Sequence, residues 1–220
     1  LATAACIAGK DPEKIKALPH SDGLPNEVML PRMCSTGFDQ CFALGGGRLV
    51  YVGTEDSCTE QDLEEAVGEK TAAIGFLLFT GAKQGLPLLE KAVRVARRHN
   101  VPLIVDAAAE LPPEENLNAI LAMGADLVIF SGGKAIQGPN DTGILYGRRD
   151  LVEAAAAQAS PHAGVGRPMK VSKEQIVGLL TALKLFTTKD WKAERATWEA
   201  KVEYLVKESS GIRHVATRRL

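Results

Sequence analysis

The stretch from Val101 to Gly147 constrains the fold of this chain most. It reads Val-Pro-Leu-Ile-Val-Asp106, then a helical interlude, then Ala-Asp-Leu-Val-Ile-Phe-Ser-Gly-Gly-Lys134. The short apolar runs 103–105 and 127–130 have the length and composition of fully buried parallel strands. Between them, Pro112 and Pro113 are expected to open a helix that carries Leu117, Ile120, Leu121 and Met123 and closes at Gly124. One strand–helix–strand unit of this kind delivers Asp106 and Lys134 to the same carboxyl edge of a sheet, where open α/β folds build their ligand sites. Neighbouring strands lie only about 4.8 Å apart, so an acid and an amine placed this way can flank one small molecule.

That pairing suits pyridoxal phosphate. A lysine condenses with the aldehyde, and an acid keeps the pyridine nitrogen protonated so that the ring can accept electrons. The spacing leaves a plainer reading open as well. An aspartate at a strand end often caps a loop, and a lysine after two glycines is usually solvated.

The rest of the chain continues the α/β pattern. Residues 1–7 read as a helix, 10–25 as a loop broken by Pro12, Pro19, Gly23 and Pro25, and 27–30 as a short strand. Gly45-Gly46-Gly47 precedes the strand 48–52 rather than following one, so it fails as a dinucleotide-binding turn. Ser57 with Glu60 forms a capping-box pattern for a helix to about Val67. A buried strand is expected at 71–79, followed by a glycine-bearing loop with Lys83. Pro87 starts a helix with Leu88, Leu89, Ala92, Val93 and Ala96 on one face. Past Lys134, the pattern predicts a strand at 143–146, a helix at 149–158, a loop at 160–171 and a helix capped by Ser172 with Gln175. A further helix is expected from Asp190 to about Lys207, and a strand at 212–216.

Composition excludes several function classes. A net charge of −1 gives no broad electrostatic reason to bind nucleic acid or an anionic membrane. Cys6, Cys34, Cys41 and Cys58 show neither metal-ligand spacing nor a disulfide framework, so no metal is expected and a reducing cytoplasm is. No apolar run approaches the ~20 residues that span a bilayer.

Three stretches carry a family resemblance: Val-Asp-Ala-Ala-Ala-Glu-Leu-Pro-Pro (105–113), Ser-Gly-Gly-Lys-Ala-Ile-Gln-Gly-Pro (131–139) and Gly-Val-Gly-Arg-Pro-Met-Lys-Val-Ser-Lys-Glu (164–174). They resemble the selenocysteine synthase group of fold-type I pyridoxal-phosphate proteins, and within it the D-glucosaminate-6-phosphate ammonia-lyase branch. The likeness runs from Leu1 to about Phe186. It implies a three-layer α/β/α domain with a mostly parallel sheet over 1–158. The remaining 159–220 would be a linker and the start of a small carboxyl-terminal domain. It also implies that the strand 143–146 returns antiparallel, and that a glycine-rich phosphate turn belongs just before Leu1, so the chain is expected to be a fragment.

The resemblance further implies pyridoxal 5'-phosphate as cofactor, with Lys134 and Asp106 as catalytic and cofactor-binding residues. Ser131 would hold the phosphate, and Ala108 would pack on the ring. Arg167 and Lys170 would bind an anionic substrate; Arg32, from its own chemistry rather than the resemblance, is a further candidate anion ligand against a solvated surface arginine. Arg32-Met33-Cys34-Ser35 stands where relatives commonly present a basic or histidine residue to the ring, and so departs from the pattern. The implied reaction is loss of a β-hydroxyl and ammonia from a hydroxylated, phosphorylated amino acid or amino sugar acid to give a 2-keto acid, within a homodimer or higher oligomer. Two alternatives stay open: a tRNA-dependent selenium transferase, and a non-catalytic α/β remnant in which Lys134 holds no cofactor.

Overall fold

The computed structural model of the chain describes residues 1–79 and 85–219. The expected loop with Lys83 therefore lies outside the described residues. Two compact units divide the chain, Leu1–Leu183 and Lys184–Leu220.

The first unit is built on one sheet. Its strands are β1 (Glu27–Pro31), β2 (Arg48–Val52), β3 (Thr71–Leu77), β4 (Leu103–Asp106), β5 (Leu127–Ser131) and β6 (Gly143–Gly147). They lie in the order β2-β1-β3-β4-β5-β6. The first five run parallel, and β6 pairs antiparallel with β5. Leu103, Ile104 and Val105 of β4 have no exposed surface, as strands covered on both faces require. Each such side chain contributes about 1.5–3 kcal/mol by leaving water.

The order of the strands reverses between β1 and β3. The chain steps from β1 outward to β2, then crosses back to β3 and on toward β6. Loops leaving the carboxyl ends of β1 and β3 therefore run to opposite sides, and a crevice opens between them.

Helices complete the layers. Helix α1 (Ala2–Ala8) packs on α7 (Arg149–Gln158) and on β3. Ala5, Ala154 and Ala155 form a small-residue core there, so the helices approach closely. Helix α5 (Gly85–His99) buries Leu88, Leu89, Ala92, Val93 and Ala96, the face its spacing predicts, and packs against β3 and β4. Its outer face is tied to α4 (Glu60–Ala66). Arg94 reaches Glu60 at 2.7 Å, and Arg98 and His99 pair with Glu64. Helix α6 (Asn116–Met123) ends on Gly124 in the left-handed region at φ 118°, which favours glycine. It begins three residues later than Pro113. Tyr146 Oη donates to the Leu117 carbonyl at 2.7 Å, and burial pushes the phenol up to about 12.

Three local expectations are corrected. The segment 10–25 is not all loop: α2 (Pro12–Ala17) forms because Asp11 accepts from the amides of Glu13 and Lys14 while Pro12 takes the first helical position. Asp-Pro there is a helix start rather than an interruption. The capping box of α4 uses Thr59 and Asp62, whereas the Ser57 amide bonds the Thr54 hydroxyl in the preceding turn. No strand forms at 212–216.

Helix α8 (Lys173–Thr187) runs across the division between the units. At its start, Ser172 and Gln175 form the expected reciprocal cap. In the second unit, α9 (Trp191–Ser209) is capped by Asp190, which accepts from the Ala193 amide at 3.0 Å. Trp191 packs edge-on to Phe186 at 4.6 Å and donates to its carbonyl.

Candidate active site

A cavity of about 230 Å³ opens at the carboxyl ends of β1, β3, β4 and β5. It is lined by Phe38 from the segment after β1 and by Leu77, Leu78 and Phe79 at the end of β3. Asp106, Ala108 and Ala109 line it after β4, and Ser131 and Lys134 after β5. The cavity therefore begins at the strand reversal and extends across two further strands.

Parallel pairing brings the acid to this edge. Asp106 is the last residue of β4 and stands in register with Leu77 on one side and Ile129 on the other. Its Oδ1 accepts from the Ala108 amide at 2.9 Å, which orients the carboxylate within the turn that follows the strand. The Ala107 amide donates to the Ile129 carbonyl at 2.9 Å, so the turn stays attached to β5.

The lysine is held by a knitted loop. The Gly132 amide donates to the Thr142 carbonyl at 2.9 Å, Gly138 donates to the Gly132 carbonyl at 2.8 Å, and Gln137 donates to the Lys134 carbonyl at 2.9 Å. A Cβ on Gly133 would sit 2.5 Å from the Asn140 Cα, so only glycine lets these two backbones approach. Lys134 itself is exposed, and among the described residues its amine donates no hydrogen bond and forms no ion pair.

Lys134, Asp106, Ser131 and Ala108 thus line one cavity. The three expected substrate ligands do not line it. The Arg32 guanidinium lies 4.6 Å over the Tyr51 ring. Arg167 is exposed on a short 3-10 turn, Arg167–Met169, and donates to Ser160 Oγ at 3.3 Å; Lys170 follows, also exposed.

Phe38 and Phe79 were not singled out from the sequence. The apolar pattern carries the expected strand to Phe79, yet β3 stops at Leu77 and Phe79 is exposed at the cavity. Phe38 stands between Gly37 and Asp39 in a polar segment, and its signal is an isolated aromatic just past a parallel strand.

The donor set fits pyridoxal phosphate. An unpaired amine, a carboxylate with one oxygen fixed by a backbone amide, a hydroxyl and a small residue all face one space with mainly apolar walls. Among the described residues no group of three or more His, Cys, Asp or Glu side chains is arranged to hold a metal ion.

A mostly parallel sheet of this topology, with its cavity at the carboxyl edge, is the fold of the pyridoxal-phosphate-dependent transferases. The chain belongs to the L-seryl-tRNA selenium transferase family, whose model matches residues 39–219. It is 41% identical over 195 residues to a 5'-C-glycyluridine monooxygenase-decarboxylase of a Streptomyces species, covering 85% of this chain and 47% of that protein. It is 39% identical over 189 residues to the D-glucosaminate-6-phosphate ammonia lyase of Salmonella typhimurium, covering 84% of this chain and 49% of that one. A solved D-glucosaminate-6-phosphate ammonia-lyase structure superposes with a TM-score of 0.78 at 38% identity, covering 86% of this chain and 50% of the other. The chain spans about half the length of the curated relatives it matches. Among the described residues no helix is long and apolar enough to cross a membrane.

Proposed function

We propose that this chain carries the cofactor-binding part of a pyridoxal-phosphate-dependent lyase. Its substrate is a hydroxylated, phosphorylated amino acid or amino sugar acid, which loses its β-hydroxyl and ammonia to give a 2-keto acid. The observation that carries the reading is the shared cavity of Asp106 and Lys134, in a chain of this family.

Bound in this cavity, pyridoxal phosphate supplies an aldehyde for a lysine and a ring that takes up the electrons left when a carbon next to an amino group loses its proton. Lys134 would hold the aldehyde end, and its amine would be placed to take the proton from the α-carbon of a bound amino acid. Asp106 would hold a proton on the ring nitrogen. Ser131 offers its hydroxyl to the phosphate, and Ala108 leaves space for the ring face. Phe38, Leu77, Leu78 and Phe79 give the cavity an apolar wall beside that carbon.

Substrate anion binding is assigned to Arg167 and Lys170, two exposed cations three residues apart on the turn after α7. A guanidinium presents a planar fork that matches a carboxylate or phosphate. A homodimer in a reducing cytoplasm completes the proposal, on the resemblance and on four free cysteines.

The name of the Streptomyces relative favours a second reading, in which the same α-carbon chemistry is directed to oxidative loss of carbon dioxide. Selenium transfer on a seryl-tRNA has the family description in its favour, but a net charge of −1 gives no broad electrostatic pull on a tRNA backbone.

The test is borohydride reduction of the protein with pyridoxal phosphate, followed by peptide mass mapping, and product analysis with D-glucosaminate-6-phosphate. A reduced label on Lys134 with release of ammonia and a keto acid is the expected result. A label on other lysines only, or none, removes the cofactor reading and leaves a non-catalytic domain. Oxygen uptake with carbon dioxide release selects the second reading, and a gel shift with seryl-tRNA selects the third.

A further inference from the structure

We propose that Asp39 is a positioning residue whose buried carboxylate braces segment 31–39 and thereby holds Phe38 as an aromatic wall against the bound ring. The inference rests on the reading that this cavity takes pyridoxal phosphate.

Asp39 is only 5% exposed. A carboxylate taken out of water is costly unless hydrogen bonds replace its hydration. Here three donors do so. The Thr36 amide donates to Oδ1 at 2.8 Å, Tyr51 Oη donates to Oδ2 at 3.1 Å, and Ser35 Oγ donates to the same oxygen. The plainer role for an aspartate at this point in the chain is to cap the following helix, α3 (Gln40–Ala43). The side chain makes no such bond. It turns back toward residues 35 and 36 and across to β2.

The effect of that brace falls on Phe38. Its amide donates to Thr36 Oγ1 at 3.1 Å and its carbonyl accepts from Cys41 at 2.9 Å, so the backbone is fixed on both sides. The side chain is left 66% exposed, yet it lines the cavity with Leu77, Leu78 and Phe79. A large aromatic held in the open by a buried charge is unfavourable for an isolated chain and favourable for a wall waiting for a flat partner. Ala108 and Ala109 line the cavity from β4, one strand beyond β3. Phe38 and this small-residue turn therefore border one space, reached from beyond the ends of β1 and β4. The Arg32 guanidinium stacks on the Tyr51 ring at 4.6 Å, and Arg32 does not line the cavity.

The test is a coupling cycle in the whole chain. Pyridoxal phosphate affinity is titrated by visible absorbance for wild type, Asp39→Asn, Phe38→Leu and the double variant, with hydrogen exchange at the Thr36 amide read on the cofactor-free proteins. Asp39→Asn is expected to weaken binding about tenfold and to speed that exchange, because an amide cannot accept from all three donors. Phe38→Leu should weaken binding to a similar degree, and Asp39→Asn should add nothing on top of it. Should Asp39→Asn fail to fold, Tyr51→Phe in the same cycle is expected to weaken binding two- to threefold in the wild-type background and not in Phe38→Leu. Unchanged affinity in Asp39→Asn, or its full effect persisting in Phe38→Leu, overturns the inference alone. A wild-type protein that takes up no pyridoxal phosphate overturns the reading of the cavity and this inference with it.

Discussion

Asp106 and Lys134 leave the carboxyl ends of two adjacent parallel strands and line one cavity, with Asp106 in register with Ile129 two residues before the end of β5. The backbone pairing, rather than any contact between the two side chains, brings them together. Each can therefore meet a different end of the same molecule.

Asp106→Asn separates the two roles assigned to this pair. Asparagine keeps an oxygen that can accept from the Ala108 amide, so the turn after β4 should survive. It carries no charge to hold a proton on a ring nitrogen. Lys134 should still be labelled on borohydride reduction, while loss of the substrate α-proton slows by 10²-fold or more, the range for removing a positioned charge or acid. Exchange of that proton in heavy water, followed by NMR, measures it. Exchange at the wild-type rate would show that Asp106 has no part in the chemistry.

Gly133→Ala tests how tightly the lysine loop is built. The added methyl would start 2.5 Å from the Asn140 Cα and 2.8 Å from its side-chain oxygen, and backbone cannot yield as a flexible side chain can. Overpacking of this kind costs about 1–3 kcal/mol. Urea unfolding should register that loss, and labelling of Lys134 should fall with it. Gly68→Ala, where a methyl meets nothing within 4 Å, is the matched control.

Much of this architecture was readable from residue order. The strand–helix–strand unit around Asp106, the apolar face of α5 and the Ser172–Gln175 cap all follow from local periodicity and capping chemistry, which the fold does not override. The wall at Phe38 was not readable. It depends on a carboxylate whose partners include Tyr51, twelve residues on and in another strand. Arg32 illustrates the same limit: the ring on which its guanidinium stacks is brought up by β2, nineteen residues on. Helix α2 is hidden for a local reason: Pro12 reads as a break unless Asp11 is taken as its cap.

Alkaline pH should weaken the first unit through two thiols. Burial, chiefly, pushes Cys34 and Cys58 up from 9.0 to about 11. The native state then keeps protons that the unfolded chain gives up between pH 9 and 11. Stability from this source is intact below pH 9 and falls as pH rises through that window, by up to about 1.4 kcal/mol per pH unit for each thiol. Urea midpoints from pH 8 to 11 should fall more steeply for wild type than for Cys34→Ala/Cys58→Ala. Parallel slopes would mean that the thiols are not held as the structure shows.

Gln158 should yield stability when replaced. It is the last residue of α7, has no exposed surface, and neither its Oε1 nor its Nε2 has a hydrogen-bond partner among the described residues. A buried amide without partners costs about 1–3 kcal/mol. Leucine has similar bulk and no polar atoms, so Gln158→Leu removes the penalty while filling the same space. Its backbone carbonyl, which accepts from the Gly166 amide at 2.9 Å, is untouched and keeps the turn before Arg167 in place. The expected gain is about 1–2 kcal/mol in urea unfolding, with Lys134 labelling unchanged because Gln158 does not line the cavity. A loss of stability would instead mean that the amide is satisfied in solution.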